Sequence, residues 1–255
     1  MRLSDRFDLT GRTAVVTTGT GGVAGGCAHA LGLAGARVLL AGGDTEEGEH
    51  LVQAMRADDI AAEFLHVEVT DVHDVERTLS TAVDRHGRVD VLVNAVDVRA
   101  PSAALDVTAP DWRRVVDGNL DTVWLWCQTF GRAFVAQRAG VIVNIGSTAG
   151  IIAGRPHWDH AAAASKAAVH HLTRSLAAEW APFGVRVNAF APGHVATDGA
   201  AVEDPRTRRH VLEDTPMERI ATLEEITPAV VFLASDASSF TTGTVLVADG
   251  GYTTC

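Results

Sequence analysis

The residues able to do chemistry gather between positions 119 and 194. Ser147 offers a hydroxyl, Asn119 an amide and Lys166 an ammonium group. A hydroxyl and an amide can hold the oxygen of a carbonyl compound, and an ammonium adds positive charge beside it. Between Ser147 and Lys166 the chain reads Gly154-Arg-Pro-His-Trp-Asp-His-Ala161. Its two imidazoles, His157 and His160, titrate near neutral pH and are competent acids and bases. The expectation is that His160 or His157 moves a proton opposite Ser147; the alternative is a polar loop with solvated histidines. His157, Asp159 and His160 could also ligate a metal. No further element supplies the remaining ligands, so no metal site is expected. His194, after a Pro-Gly turn, is another candidate to face the cleft.

These groups must be held by a scaffold, and the hydrophobic pattern supplies one. Short β-branched runs alternate with longer helical stretches, the signature of βαβ units and a parallel sheet. Strands are expected at 13–17, 37–41, 62–67, 89–94, 141–145, 186–191 and 244–247. Helices are expected at 23–34, 45–57, 72–86, 111–138, 161–181 and 224–234. Asp71, and Thr222 with Glu225, read as helix N-caps. The fold class is α/β, a single Rossmann-like doubly wound domain over residues 1–255 with a seven-stranded sheet. The charged, proline-containing segment 194–216 is read as a loop over the substrate cleft.

On these residues the chain resembles the short-chain dehydrogenase/reductase family over nearly its whole length. Val116-Asp-Gly-Asn-Leu120, Ile145-Gly-Ser-Thr-Ala-Gly150 and Arg186-Val-Asn-Ala-Phe-Ala-Pro-Gly-His194 resemble the segments carrying that family's asparagine, serine and Pro-Gly turn. Ala161-Ala-Ala-Ala-Ser-Lys-Ala-Ala-Val169 resembles its Tyr-x-x-x-Lys helix, with Ala162 at the tyrosine position. The resemblance implies that Ser147 bonds a substrate carbonyl, Asn119 holds a relay water and Lys166 holds the cofactor ribose. It also implies a tyrosine proton donor, yet the only tyrosine is Tyr252.

The implied nucleotide site is altered in the same way. Val16-Thr-Thr-Gly-Thr-Gly-Gly-Val-Ala-Gly26 resembles the family's glycine loop, with Thr18 at its first glycine, Gly22 at its second and Ala24 at its third. Gly19 and Gly21 could take over the tight turn. Glu68 is placed to reach adenine. Asn94, Pro192, Gly193, Thr197 and Lys166 are the other cofactor-binding candidates. Gly42 and Gly43 end the second strand without a side chain for the adenosine ribose, and Asp44 serves only if the loop turns back. Asp97 replaces a glycine beside the cofactor path, where a carboxylate repels phosphate. These changes point away from tight NAD(P) binding.

The totals narrow the partners. The net charge of −11 over 255 residues disfavours nucleic acid and anionic membrane. The three cysteines lack C-x-x-C spacing, and no apolar run reaches transmembrane length. The polar N-terminus does not resemble a signal peptide, so a cytoplasmic location is expected. As in the family, helices 111–138 and 161–181 are expected to build a homodimer or homotetramer, with Trp124, Trp126 and Cys127 as candidate packing residues. The sequence favours an atypical enzyme of this scaffold acting on a small carbonyl-containing metabolite, such as a secondary metabolite. Its chemistry would be non-redox: cyclisation, isomerisation, dehydration or an aldol-type step. The alternatives are an NAD(P)-dependent oxidoreductase with His160 or water replacing the tyrosine, and a non-catalytic binding subunit.

Overall fold

Strand β1 (Thr13–Thr18) shows in one segment why the sheet is covered on both sides. Ala14 and Val16 pack into one apolar cluster while Val15 packs into the other. That period of two is the pleat of a strand buried on both faces. The computed structural model describes residues 2–18, 22–154, 158–197 and 205–254. In chain order, α1 (Gly22–Leu33), β2 (Arg37–Gly42), α2 (Thr45–Ala57), β3 (Ala62–His66), α3 (Val72–His86) and β4 (Val91–Ala95) follow β1. Then come α4 (Ala109–Val116), α5 (Thr122–Gln137), β5 (Gly140–Ile145), α6 (His160–Trp180) and β6 (Val185–Pro192). The chain closes with α7 (Pro205–Glu213), α8 (Leu223–Ala234) and β7 (Val245–Ala248).

The sheet has seven parallel strands in the order β3-β2-β1-β4-β5-β6-β7. Leu31 of α1, Val52 of α2 and Val230 of α8 cover one face; Val75 of α3, Trp126 of α5 and Leu176 of α6 cover the other. The strand order reverses between β1 and β4, and ligands bind such sheets beyond the strand C-termini at that switch. Ser147 and Asp97 both lie just past such strand ends.

Local chemistry starts the helices where the sequence places them. Asp71 accepts from the backbone N–H groups of His73 and Asp74, and Thr222 and Glu225 form a capping box. Asp44 caps α2 by accepting from Glu47 N–H at 3.0 Å. Its carboxylate is therefore committed to the helix end rather than turned back to a ribose.

Three expectations change. Residues 111–138 do not form one helix: a π-helical turn at Asp117–Asp121 divides α4 from α5. A Cβ on Gly118 would collide with Val98, so glycine lets the loop after β4 press against the helix. Within the segment 194–216, α7 forms and Val195 bridges Ala221, so its described part is not a plain loop. Of the three packing candidates on α5, Trp126 and Cys127 are fully buried core and Trp124 alone is at the surface. Among the described residues, no helix is long and apolar enough to cross a membrane.

Candidate active site

The π-turn explains the position of Asn119. Asn119 sits within this locally widened turn, a feature frequent at functional sites. Asn119 is fully buried. Its Nδ2 donates to the Val98 carbonyl at 2.9 Å and to Ser165 Oγ at 3.1 Å. Its Oδ1 accepts from Val98 N–H at 2.7 Å. One amide thus pins the loop after β4 to α6.

Lys166 is buried on α6 and held by main chain. Its Nζ donates to the carbonyls of Val96 at 3.1 Å and Ile145 at 3.2 Å, which end β4 and β5. It lies 3.3 Å from Asp97 Oδ1, while Arg99 donates to Asp97 Oδ2 at 2.8 Å. Burial lowers the Lys166 pKa, with Asp97 opposing. For Asp97, burial pushes upward, but Lys166 and Arg99 together hold the carboxyl below the usual range. Asp97 therefore does not stand as a lone repelling charge. Two cations flank it and leave the trio with net positive charge.

Ser147 starts a short 3₁₀ turn beyond β5, and its Oγ accepts from Ala149 N–H at 3.1 Å. Among the described residues this oxygen only accepts, so its proton is free for an incoming oxygen. His170 lies beneath the turn. A Cβ on Gly146 would collide with its ring, which explains the glycine before Ser147.

Burial, with Arg174 and Lys166 adding to it, pushes the His170 pKa down to about 4. The unfolded chain therefore binds this proton first. Stability is complete above the unfolded value near 6.5, declines as pH falls toward 4, and is flat below. The change amounts to about 3 kcal/mol at roughly 1.4 kcal/mol per unit. Urea unfolding at pH 7.5 and 4.5 measures it, and His170→Gln should remove most of its share.

The remaining expected site residues divide. Ala162 is buried against Val115 and Val98 on the first turn of α6. Asp159 caps that helix, accepting from Ala162 N–H, and also accepts from Ala100 N–H, both at 3.2 Å. The His160 ring stacks on Trp158 and lines a cavity of about 550 Å³ with Thr108, Trp112 and Arg113. Ser147 and Lys166 do not line that cavity. His194 packs edge-on to Tyr252 and lines another cavity, of about 260 Å³, with Thr215 and Glu225. His157 and Gly19 lie outside the described residues.

The nucleotide contacts divide in the same way. Asn94 is buried; its Nδ2 donates to Asn144 Oδ1 at 2.8 Å and to Cys127 Sγ at 3.3 Å, an interior role. The Glu68 carboxylate accepts from Thr70 at 2.6 Å. Gly193 is required by close packing, because a Cβ there would meet the Asp249 backbone at 2.6 Å. Gly22 has φ +57°, and its Cβ would stand 3.3 Å from the Thr197 side chain. A side chain at Gly22 would fill the space between the α1 N-terminus and Thr197. The N–H groups at the start of α1 favour an anion such as a phosphate. With Asp97 neutralised, the residues present fit a nicotinamide dinucleotide.

Comparison with known proteins agrees. The family described as Enoyl-(Acyl carrier protein) reductase matches residues 18–253. The chain belongs to the short-chain dehydrogenase/reductase family. It is 41% identical to a galactitol 2-dehydrogenase of Rhizobium johnstonii, over 99% of both chains. It is 34% identical to a sorbose reductase of Candida albicans, over 98% of this chain and 89% of that one. A gluconate 5-dehydrogenase from Burkholderia cenocepacia, solved with NADP and tartrate, superposes with TM-score 0.93 at 31% identity over all of both chains. These relatives are dehydrogenases and reductases, and that overturns the non-redox reading drawn from the missing tyrosine and the altered glycine loop. It also overturns the non-catalytic one.

Two neighbours of Lys166, His170 and Asp97, were not read as such from the sequence. His170 lies one turn after Lys166, a spacing that sets both on one helix face. Asp97 was read as an obstacle because its salt bridge joins residues far apart in the chain.

Proposed function

We propose that the protein is an NAD(P)-dependent oxidoreductase that interconverts a secondary alcohol and a ketone on a polyhydroxylated carbon chain. The observation that carries this reading is that Ser147, Asn119 and Lys166, which stand at the positions resembling the family's serine, asparagine and lysine, are each held by defined bonds. Relatives named for galactitol, sorbose and gluconate support the substrate class. Ala162 makes the protein an atypical member, since a methyl moves no proton.

Ser147 donates its free proton to the substrate oxygen and fixes the reacting carbon. Asn119 holds the loop after β4 against α6. Gly22, with the α1 N-terminus, accommodates the pyrophosphate, and Thr197, Pro192 and Gly193 line the nicotinamide end. When bound, the nicotinamide supplies two-electron redox chemistry by hydride transfer. The exposed faces of Trp112 and Trp124 on α4 and α5 are where a homodimer or homotetramer would pack.

The test is absorbance at 340 nm with galactitol, sorbitol and gluconate, each with NAD and NADP. Turnover of at least one polyol is expected. No turnover in either direction and no calorimetric binding of NADH or NADPH at millimolar concentration would refute the reading.

A further inference from the structure

An alcohol dehydrogenase must take a proton from the hydroxyl it oxidises, and the usual phenol is missing at Ala162. The groups that could replace it are few. The His160 ring faces the cavity with Trp112 and Arg113. His194 faces the cavity with Thr215 and Glu225. Asp159 is occupied as the α6 cap and by Ala100 N–H.

Asp97 differs from all of these. An ammonium has three donors. Lys166 directs two at the carbonyls of Val96 and Ile145 and has the Asp97 carboxylate 3.3 Å away as its third partner. The Lys166 side chain is 3% exposed and that of Asp97 is 40% exposed. The carboxylate, not the ammonium, is therefore the accessible end of this pair. It lies two residues beyond β4, past the strand ends where a ligand of this sheet binds.

We propose that Asp97 is the proton acceptor for the substrate hydroxyl in oxidation and the donor in reduction, with Lys166 and Arg99 as its positioning residues. This rests on the oxidoreductase reading. In oxidation the substrate O–H bond breaks and its proton passes to an Asp97 carboxylate oxygen. The C–H bond breaks, its hydrogen leaves with the electron pair to the nicotinamide, and the C=O bond forms. Asp97 then releases the proton to water through its exposed edge. A carboxylate is a sufficient base, because loss of hydride turns the hydroxyl into that of a protonated ketone, a much stronger acid than any carboxylic acid. Reduction runs the same steps backwards.

The pH dependence follows from the groups around the carboxylate. Lys166 on α6 and Arg99 on its own segment face it, and Arg99 in turn lies near Asp159 and His194. The two adjacent cations favour the ionised form. Oxidation should keep more than about half its pH 7.5 rate at pH 5.5, where a base of ordinary histidine pKa, near 6.5, would be mostly protonated.

The experiment compares the unmodified enzyme with Asp97→Asn and Asp97→Gly, measuring polyol oxidation against pH and NADH affinity by calorimetry. Both variants are expected to oxidise about 100-fold more slowly, within the usual range for general acid–base catalysis, with NADH affinity within threefold of the parent. The glycine variant carries the family residue and serves if the asparagine variant does not fold. Oxidation within threefold of the parent in either folded variant overturns the proposal. So does loss of NADH binding together with turnover, which would assign Asp97 to holding the cofactor. An acid limb in the parent that His194→Gln or His160→Gln abolishes also overturns it. A parent enzyme that neither binds nor reduces a nicotinamide would instead refute the oxidoreductase reading beneath it.

Discussion

Replacing Ser147 with alanine is expected to lower kcat for the best polyol by about 10²–10³-fold, the range for removing one donor to a reacting oxygen. The Ser147 hydroxyl accepts from Ala149 N–H and leaves its own proton for the substrate. Ser147 donates to the oxygen whose bonding changes in the reaction, so the loss should fall on kcat more than on KM. NADH affinity should be unchanged. The fold should hold, because Ser147 is only partly buried and loses one local cap worth about 1 kcal/mol. Steady-state kinetics with a thermal melt check all three. A loss shared with NADH binding would place Ser147 on the cofactor instead of the substrate.

Asn119→Ala should have the largest structural consequence of any site substitution. The amide makes three hydrogen bonds, two of them to the N–H and carbonyl of Val98. Truncation leaves both main-chain groups without partners beside a fully buried position. An unpaired buried group costs about 1–3 kcal/mol. Val98 is half-buried and water reaches part of the gap, so the expected loss is about 2–4 kcal/mol. Urea unfolding measures it. Activity should fall with it, because the same bonds hold the segment that carries Asp97. Asn119→Asp would keep the acceptor for Val98 N–H but set a carboxylate against the Val98 carbonyl. It should therefore recover only part of the stability.

These effects concern long-range contacts, and that is where the sequence was least legible. The strands and helix starts were local. Alternation of Ala14, Val15 and Val16, and the caps Asp71 and Thr222, are properties of a few neighbouring residues, and the structure agrees with them. The long helix at 111–138 was misread because hydrophobic periodicity runs through the π-turn. Gly118 and Asn119 mark the break, but their partner Val98 is remote in sequence. Trp126 and Cys127 looked available for packing between subunits until the sheet was placed behind α5.

The site shows the same division. Ser147, Asn119 and Lys166 were recognisable because each stands at a fixed distance from a strand or helix end. Asp97 was recognisable as a departure from the family, but its sign was wrong. A carboxylate considered alone beside a phosphate is repulsive; held between Lys166 and Arg99 it is neutralised. Asn94 was read as a cofactor-binding candidate, and Asp44 as one only if its loop turned back. The first is bonded into the interior through Asn144, and the second is tied to the start of α2.

The sequence by itself determined the doubly wound sheet, the family and the absence of a tyrosine from α6, because periodicity, capping and motif spacing are carried by residues near one another along the chain. Tertiary structure decided which charged groups meet. Whether Asp97 repels a cofactor or pairs with a lysine, and whether a histidine faces Ser147 or a separate cavity, depends on elements brought together only by folding, where distances of a few ångströms set both the charge and the accessibility of each group.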